Sequence, residues 1–594
     1  MPDIIRLLPD AIANQIAAGE VVQRPASVVK ELMENSIDAG ATEIKLIIKE
    51  AGRALIQVID NGSGMSETDA RMSLERHATS KIRTADDLFT LRTMGFRGEA
   101  IASIAAVSQF EMKTRLASNE VGTCIVVEGS EVKSQEPTVI KKGTIVSIKN
   151  LFYNIPARRN FLKSNAVEMR HIVEEFQRIA LANPEISLSL VHGDETLYDL
   201  SPSKLAQRVV GLFGKTYQEQ LAPCNEETEL LSVSGYIGKP QAARRTRGEQ
   251  FVFVNQRFIR SNYLNHAVAG AYENLLPDNT FPFYVLFIEI DPKHIDVNVH
   301  PTKTEIKFDD ERAVYAVVRA AVRQALGAHN LTPALDYTAD VNLVSKISLS
   351  QSLSRDQFMD EQLGSSIHRS NLSNWEKLFE NERPIQSKLF GQSEAATAEA
   401  TAVAASTGKS NLFQLDLRFL VRPVKNGLMI IHQEAAHERV LFETYLKKMN
   451  TRSGTTAQSL FPQTVTLSTA DFTLIMEMER EIKALGFQFE VFGKNTIVVN
   501  GLPAEATGKN EKELFEGLLE QFKQNQSALT IPLQDNLARA LAKRSAFRNG
   551  QKLTQEEMEF LFEQLFSCST PNYSPDGNTT FFIFETSKIE SYFR

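Results

Sequence analysis

From about residue 331 to residue 410 the apolar periodicity of this chain stops. Ser, Gln, Asp and Glu dominate there, and the stretch closes on the Ala/Thr-rich run 396–405. Such a composition cannot offset its ordering entropy by burial, so a disordered linker is expected. As a flexible coil, roughly 80 residues span about 50 Å root-mean-square. Any fold for the 594 residues must therefore be built in separate parts. The expected division is 1–205, 206–330, the linker 331–410, and 411–594.

Composition narrows the class. Hydrophobic residues make up 42% and charged residues 23%, which is ordinary for globular protein and sufficient for more than one core. A net charge of −8 argues against a wholesale polycation, although local basic patches still bind phosphate. Cys124, Cys224 and Cys568 fit neither a metal nor a disulfide spacing, which suits a reducing cytosol. Asp3 near the start breaks any basic-then-apolar leader pattern, and no run approaches the ~18 apolar residues of a membrane span. A soluble cytoplasmic protein with no membrane partner is expected.

Within 1–205, helical patterns alternate with short β-branched strands, as in an α/β layer sandwich. The informative helix runs up to Gly40, which is placed to end it, and Pro25 suits its first turn. Glu31 and Asn35 are four apart and Asp38 follows three later, so the three share a face. Val28, Val29, Leu32, Met33 and Ile37 are left to bury the other sides. Alone, this is an ordinary solvated stripe. Its sequel changes that: Asp60-Asn61-Gly62-Ser63-Gly64 after a strand-like run, Gly95-Phe96-Arg97-Gly98-Glu99-Ala100 opening a helix, and Gly143-Thr144 entering a strand.

In this order and spacing the strings resemble the ATP site of the GHKL ATPases. Longer strings (Gln15–Val22, Arg76–Lys81, Gly95–Ala100 and Asp296–Pro301) are similar to the MutL mismatch-repair family over roughly the first 330 residues. The resemblance implies ATP and Mg²⁺ as cofactors. Glu31 is then the general base that orients the attacking water, and Asn35 the Mg²⁺ ligand. Asp60 would accept from the adenine amino group, with Gly62, Gly64 and Met65 close to the base. Residues 74–101 would form a nucleotide lid, with Thr79, Ser80 and Lys81 at one end. Arg97, Gly98, Glu99, Ala100 and Ile101 stand at the other, where a new helix offers N–H groups to phosphate. Thr144 completes this set. Residues 1–20 would reach onto a partner's ATPase domain, or form a plain edge element.

For 206–330 the resemblance implies a βαβ fold shared with a ribosomal protein. Lys303, after Asp296-Val297-Asn298-Val299-His300-Pro301, would cross to the γ-phosphate and stabilise transition-state charge. Asn255-Gln256-Arg257 stands where the family commonly has Asn-Gly-Arg, which loses a permissive turn residue. Arg158, Arg159, Lys163 and Arg260 either touch DNA phosphates or are solvated surface charge. In the linker, Gln386-Ser387-Lys388-Leu389-Phe390 is similar to a sliding-clamp-binding peptide.

In 411–594, Asn426-Gly427 predicts a hairpin, Thr469 or Asp471 a helix start, and Gly486 that helix's end. This suits the family's small α/β dimerisation domain. Many relatives carry a metal-dependent nicking site here, built from three strings. Their counterparts are His432–Glu438, Ala542-Lys543-Arg544-Ser545-Ala546 and Ser574–Thr579, where most thiolate and imidazole ligands are missing. Lys543 and Arg544 put positive charge where a cation would sit.

The expectation is an ATP-dependent mismatch-repair coordinator: a slow Mg²⁺-dependent ATPase without endonuclease activity. It would be homodimeric, bind DNA through phosphates, and sit in the nucleoid-associated cytoplasm. Partners would be a MutS-type mismatch sensor, a downstream nuclease or helicase, and the sliding clamp. The alternatives are a nicking endonuclease using His432, Glu434, His437 and Glu438, a strand-passage ATPase, and a scaffold that does not hydrolyse ATP.

Overall fold

The computed structural model describes residues 18–19, 21–81, 98–273, 275–277, 280–296, 306–328, 412–493, 495–528 and 531–593. The N-terminal arm, Arg97 with most of the lid, Lys303 and the linker with its 386–390 peptide lie outside them. Helix α1 (Pro25–Asp38) starts on its proline and stops where Gly40 turns left-handed at φ +69°. Strands β1 (Glu43–Lys49) and β2 (Leu55–Asp60) follow, then α2 (Glu67–Met72), whose Ser66 cap accepts from the Asp69 N–H. Helix α3 (Ala100–Ala106) leads into β3 (Gln109–Arg115), β4 (Gly122–Glu128), β5 (Glu131–Thr138) and β6 (Gly143–Lys149). Short α4 (Pro156–Phe161) precedes the long α5 (Asn165–Ala182), then β7 (Ser187–His192), β8 (Glu195–Leu200) and α6 (Leu205–Phe213).

The eight strands form one sheet in the order β5-β4-β3-β6-β2-β1-β7-β8. Only β1 and β7 pair in parallel. Alternation sends Ile44, Leu46 and Ile48 of β1, and Phe110 and Met112 of β3, to one buried face. That face is covered by α1 and α5, whose Val29, Met33, Ile172 and Phe176 complete the core.

A second sheet holds β9 (Leu221–Pro223), β10 (Glu226–Glu227), β11 (Leu231–Gly238), β12 (Gln250–Val254), β13 (Arg257–Phe258) and β14 (Tyr284–Ile290). Helix α7 (Asn262–Ala271) connects β13 to β14, and β14 pairs with β12 in parallel, which is the expected βαβ unit. Strand β12 is shared by two cores. Phe251 and Phe253 join the first core beside Phe213 and Tyr217, while Val252 and Val254 face the second. Strands β15 (Ile295–Asp296) and β16 (Lys307–Phe308) pair, and α8 (Glu311–Ala328) packs on α7.

The C-terminal part has two sheets. Strands β17 (Phe413–Leu415), β18 (Phe419–Val424), β19 (Gly427–His432) and, from the far end of the chain, β23 (Phe581–Glu585) form the first in that order. The β18–β19 hairpin falls at Asn426, as its Asn-Gly predicts. Helix α9 (Gln433–Thr451) follows. Strand β20 (Thr456–Thr466) pairs with β22 (Thr496–Pro503), which also pairs with β21 (Gln488–Val491).

The predicted 469–486 helix is two pieces, α10 (Thr469–Glu477) and α11 (Glu479–Ala484). Its cap is Ser468 rather than Thr469 or Asp471, because Ser468 accepts from the Asp471 N–H. Helices α12 (Glu511–Ala528) and α13 (Leu533–Ser545) pack with α9 and α10 around Leu474, Phe515 and Leu541. Helix α14 (Gln555–Phe566) opens on a Thr554/Glu557 capping box, and α15 (Thr586–Ser591) ends the fold.

Phe176 is fully buried and stacks on Tyr198 with ring centroids 5.3 Å apart. Phe176→Ala should cost about 3–5 kcal/mol in denaturant unfolding. Phe161→Ala, at a side chain 81% exposed, should stay within about 0.5 kcal/mol.

Candidate functional site

At the end of the first sheet three strands bring polar side chains onto one rung. Asp60 of β2 is paired with Thr144 of β6, and Thr144 with Thr114 of β3. The two threonine hydroxyls lie 3.0 Å apart, and Thr114 Oγ1 also accepts the Met65 N–H at 2.9 Å. Asp60 is held from both sides: Oδ1 accepts the Gly62 N–H at 2.9 Å, and Oδ2 accepts the Ser36 hydroxyl at 3.0 Å. Burial raises its pKa above the usual carboxylate value, opposed by the Gly62 N–H, Ser36 and Thr144. Gly64 sits at φ +70°, and a Cβ there would lie 2.1 Å from the Arg115 carbonyl oxygen. Only glycine lets the turn close on β3.

Helix α1 supplies the other wall. Ser36 reaches Asp60, while Asn35 meets the near end of the lid: Lys81 Nζ donates to Asn35 Oδ1 at 3.2 Å and to Asp38 Oδ2 at 2.5 Å. Glu31 lies one turn earlier, half-buried. Thr79 Oγ1 accepts the Lys81 N–H, and Ser80 is exposed. The two ends of the lid touch. Gly98, at φ +62°, packs so closely that a Cβ would fall 2.3 Å from the Ala78 carbonyl oxygen, and Glu99 lies 3.2 Å from His77. Ala100 and Ile101 begin α3. The structure thus links Asn35 with Lys81, and Asp60, Gly62, Met65 and Thr144 around Thr114, while Glu31 shares α1 with Asn35; Arg97 and Lys303 fall outside the described residues.

Two members of this group escaped the sequence reading. Ser36 had a signal, being a polar residue beside Asn35, and it is only 4% exposed. Thr114 had none, because threonine is an ordinary strand residue.

The candidate DNA contacts do not form one surface. Arg158 donates to the Val22 carbonyl at 3.0 Å and faces the Phe152 ring, so it ties the chain's start to the sheet. Lys163 Nζ donates to the Gln526 carbonyl at 2.9 Å. Arg159 and Arg260 are exposed, Arg260 near Arg178, whose charge lowers its pKa ahead of burial.

Comparison with known proteins agrees with this geometry. Residues 23–157 match the family described as histidine kinase-, DNA gyrase B- and HSP90-like ATPase. Residues 209–327 match the C-terminal domain family of DNA mismatch repair protein, and 412–553 the MutL C terminal dimerisation domain. The DNA mismatch repair protein MutL of Flavobacterium psychrophilum is 44% identical over the whole of both chains. Those of Christiangramia forsetii and Phocaeicola vulgatus are 43% and 41% identical, again over the whole of both. The chain belongs to the MutL family.

The three C-terminal strings are where MutL relatives with a nicking site would hold metal. Here their donors are engaged separately. His432 caps α9, its Nδ1 accepting the Ala435 N–H at 3.2 Å. His437 accepts the Phe547 N–H at 3.0 Å and stacks on that ring, and burial with nearby Lys509 pushes its pKa down to about 3. Glu434 accepts from Asn549 at 2.8 Å. Lys543 Nζ pairs with Asp576 at 2.6 Å, joining the second string to the third. Glu438 is 6% exposed, and its Oε1 meets no donor among the described residues. Burial and then Asp576 raise its pKa to about 7, against the pull of Lys543. Among the described residues no three His, Cys, Asp or Glu side chains group so as to hold a metal ion.

Glu438 carries a pH prediction. Its folded pKa of about 7 lies above the ordinary 4.5, so the folded state binds the extra proton between those values. Stability should therefore fall as pH rises through that window. Glu438→Gln should gain about 2–3 kcal/mol over the native chain at pH 8 and little at pH 4, read by denaturant unfolding.

Proposed function

We propose that the chain is a slow Mg²⁺-dependent ATPase that coordinates mismatch repair as a homodimer. The observation that carries this is the rung Asp60–Thr144–Thr114, tied through Ser36 to the helix bearing Glu31 and Asn35. A carboxylate with one oxygen on a hydroxyl and one on its own turn keeps a fixed lone pair for an amino group, which is how Asp60 would select adenine. Met65, held by Thr114, borders the same place. Glu31 would take the proton of the attacking water, one helical turn from the phosphate-side residue Asn35. Asn35 Oδ1 is a neutral hard oxygen of the type Mg²⁺ takes; the Lys81 ammonium that now donates to it would have to turn away, toward the phosphates, to leave it to the metal. When bound, Mg²⁺ would neutralise charge on the phosphates. Thr79, Ser80 and Lys81 at one lid end, and Arg97 through Ile101 at the other, would close over them, with Lys303 completing the γ-phosphate contacts.

The C-terminal part supports a dimer. The β17-β18-β19-β23 sheet turns Phe413, Leu415 and Phe582 to one exposed side, opposite the buried Leu420 and Ile431. A contiguous apolar face of this kind marks a protein contact. DNA would be contacted through the exposed Arg159 and Arg260, since Arg158 and Lys163 are engaged by the Val22 and Gln526 carbonyls. A MutS-type sensor, a nuclease or helicase, and the sliding clamp would be the partners, in the nucleoid-associated cytoplasm. No helix among the described residues is long and apolar enough to cross a membrane. The nick itself would come from a separate enzyme, because His432, His437 and Lys543 are spent on a cap, a backbone contact and an ion pair, which leaves Glu438 without a ligand set around it among the described residues.

Glu31→Ala should abolish hydrolysis while equilibrium ATP binding persists, whereas Asn35→Ala should weaken binding of Mg-ATP itself. Loss of binding in the Glu31 variant would remove Glu31 from the role of base. Supercoiled plasmid with the full chain, ATP and Mn²⁺ should stay supercoiled. Nicking that Glu438→Ala abolishes and Glu31→Ala spares would make the chain an endonuclease after all.

A further inference from the structure

The strands β12 and β13 are joined by the two-residue turn Asn255-Gln256, with φ of +47° and +67°. This is the left-handed pair that a tight hairpin needs. The turn keeps that shape although Gln256 stands where glycine would be unstrained. What holds it is Asn255, whose side chain accepts the Ile290 N–H at 3.1 Å and donates to the Ile290 carbonyl at 2.9 Å. Ile290 ends β14, the strand from which the chain runs on to Lys303. The turn and the root of that segment are therefore one clamped piece.

The turn docks on the ATPase sheet's helices. Glu34 and Ile37 of α1, Arg178 of α5, and Gln256, Arg257 and Phe258 line one cleft. Phe258 lies under the Arg178 guanidinium at 4.2 Å, and Arg178 is paired with Glu174 and Glu175. With Phe258 seated there, half-buried Arg257 faces the acidic side of α1. Burial lowers its pKa, and the carboxylates of Glu34, Asp38 and Glu31, in that order, oppose the shift. The second sheet thus places a fixed guanidinium beside the helix that carries the proposed base. Lys30, which lines the same cleft, lies 3.9 Å from Glu34, and Lys81 reaches Asp38 from the lid, so α1's acidic stripe meets a cation of its own helix and one from each of the two elements packed beside it.

We propose that Arg257 is a positioning residue for hydrolysis: through Glu34 and Asp38 it sets the orientation of α1's Glu31, so the base is aligned only when the second sheet is docked. The inference rests on the reading of Glu31 as general base.

The test uses the full chain and steady-state ATP turnover, with equilibrium nucleotide binding beside it. Arg257→Gln should lower kcat about tenfold, the scale of a slightly misplaced catalytic group, with ATP affinity within about twofold. Arg257→Lys should fall between the two. In a Glu34→Gln background, Arg257→Gln should cost clearly less than in the native chain, about threefold, because the first of its two carboxylate partners is already gone. Unchanged kcat in Arg257→Gln overturns the proposal, as does a loss fully additive with Glu34→Gln. An equal fall in nucleotide affinity does so too, since that is the mark of a merely structural role. If instead Glu31→Ala hydrolyses ATP normally, the assignment of the base fails first, and the two failures are distinguishable.

Discussion

The Asp60 carboxylate is the constraint around which the N-terminal part is arranged. A buried carboxylate is costly unless its oxygens are hydrogen-bonded. Here one is answered by its own turn and the other by α1, so the end of β2, the turn 60–64 and helix α1 must all be in place at once. Asn61 fastens the same corner from the opposite side, its Oδ1 accepting from the backbone N–H groups of Thr42 and Glu43. Replacing one of these groups would leave its partner with an unpaired polar atom in a half-buried corner.

Legibility in the sequence followed the range of the interaction. Helix α1 could be read from Pro25 and Gly40, and the glycines at 62, 64 and 98 from their place in short strings, because these are local facts of backbone geometry. The βαβ expectation is met by β12 and β14 pairing in parallel around α7. The rung Asp60–Thr144–Thr114 was half legible: Asp60 and Thr144 sit in motifs, but Thr114 enters by register alone, and register across non-adjacent strands leaves no trace in a single sequence. Arg158 shows the converse. Its charge suggested phosphate, yet it is spent on the Val22 carbonyl, and sequence does not reveal which surface charges find an internal acceptor.

The C-terminal strings teach a related lesson. Residue type alone left His432, Glu434, His437 and Glu438 available as metal donors. Geometry engages three of them separately: His432 caps a helix, His437 packs on an aromatic ring and stays neutral, and Glu434 accepts from Asn549, while Glu438 keeps an oxygen with no donor among the described residues. Lys543 and Asp576, distant in sequence, neutralise one another beside Glu438. Two of the three strings are thereby joined by an ion pair.

Strand β12, shared between two cores, has a further consequence for how such a chain can change. Phe251 and Phe253 answer to one interior and Val252 and Val254 to another, so the sizes on the two sides can drift independently over time. The number of residues cannot. An insertion or deletion of one would exchange the two sets, pressing valines against Phe213 and driving phenylalanines between helices α7 and α8. The strand is free in composition and frozen in length, and a boundary drawn between the two sheets passes through the middle of its pleat.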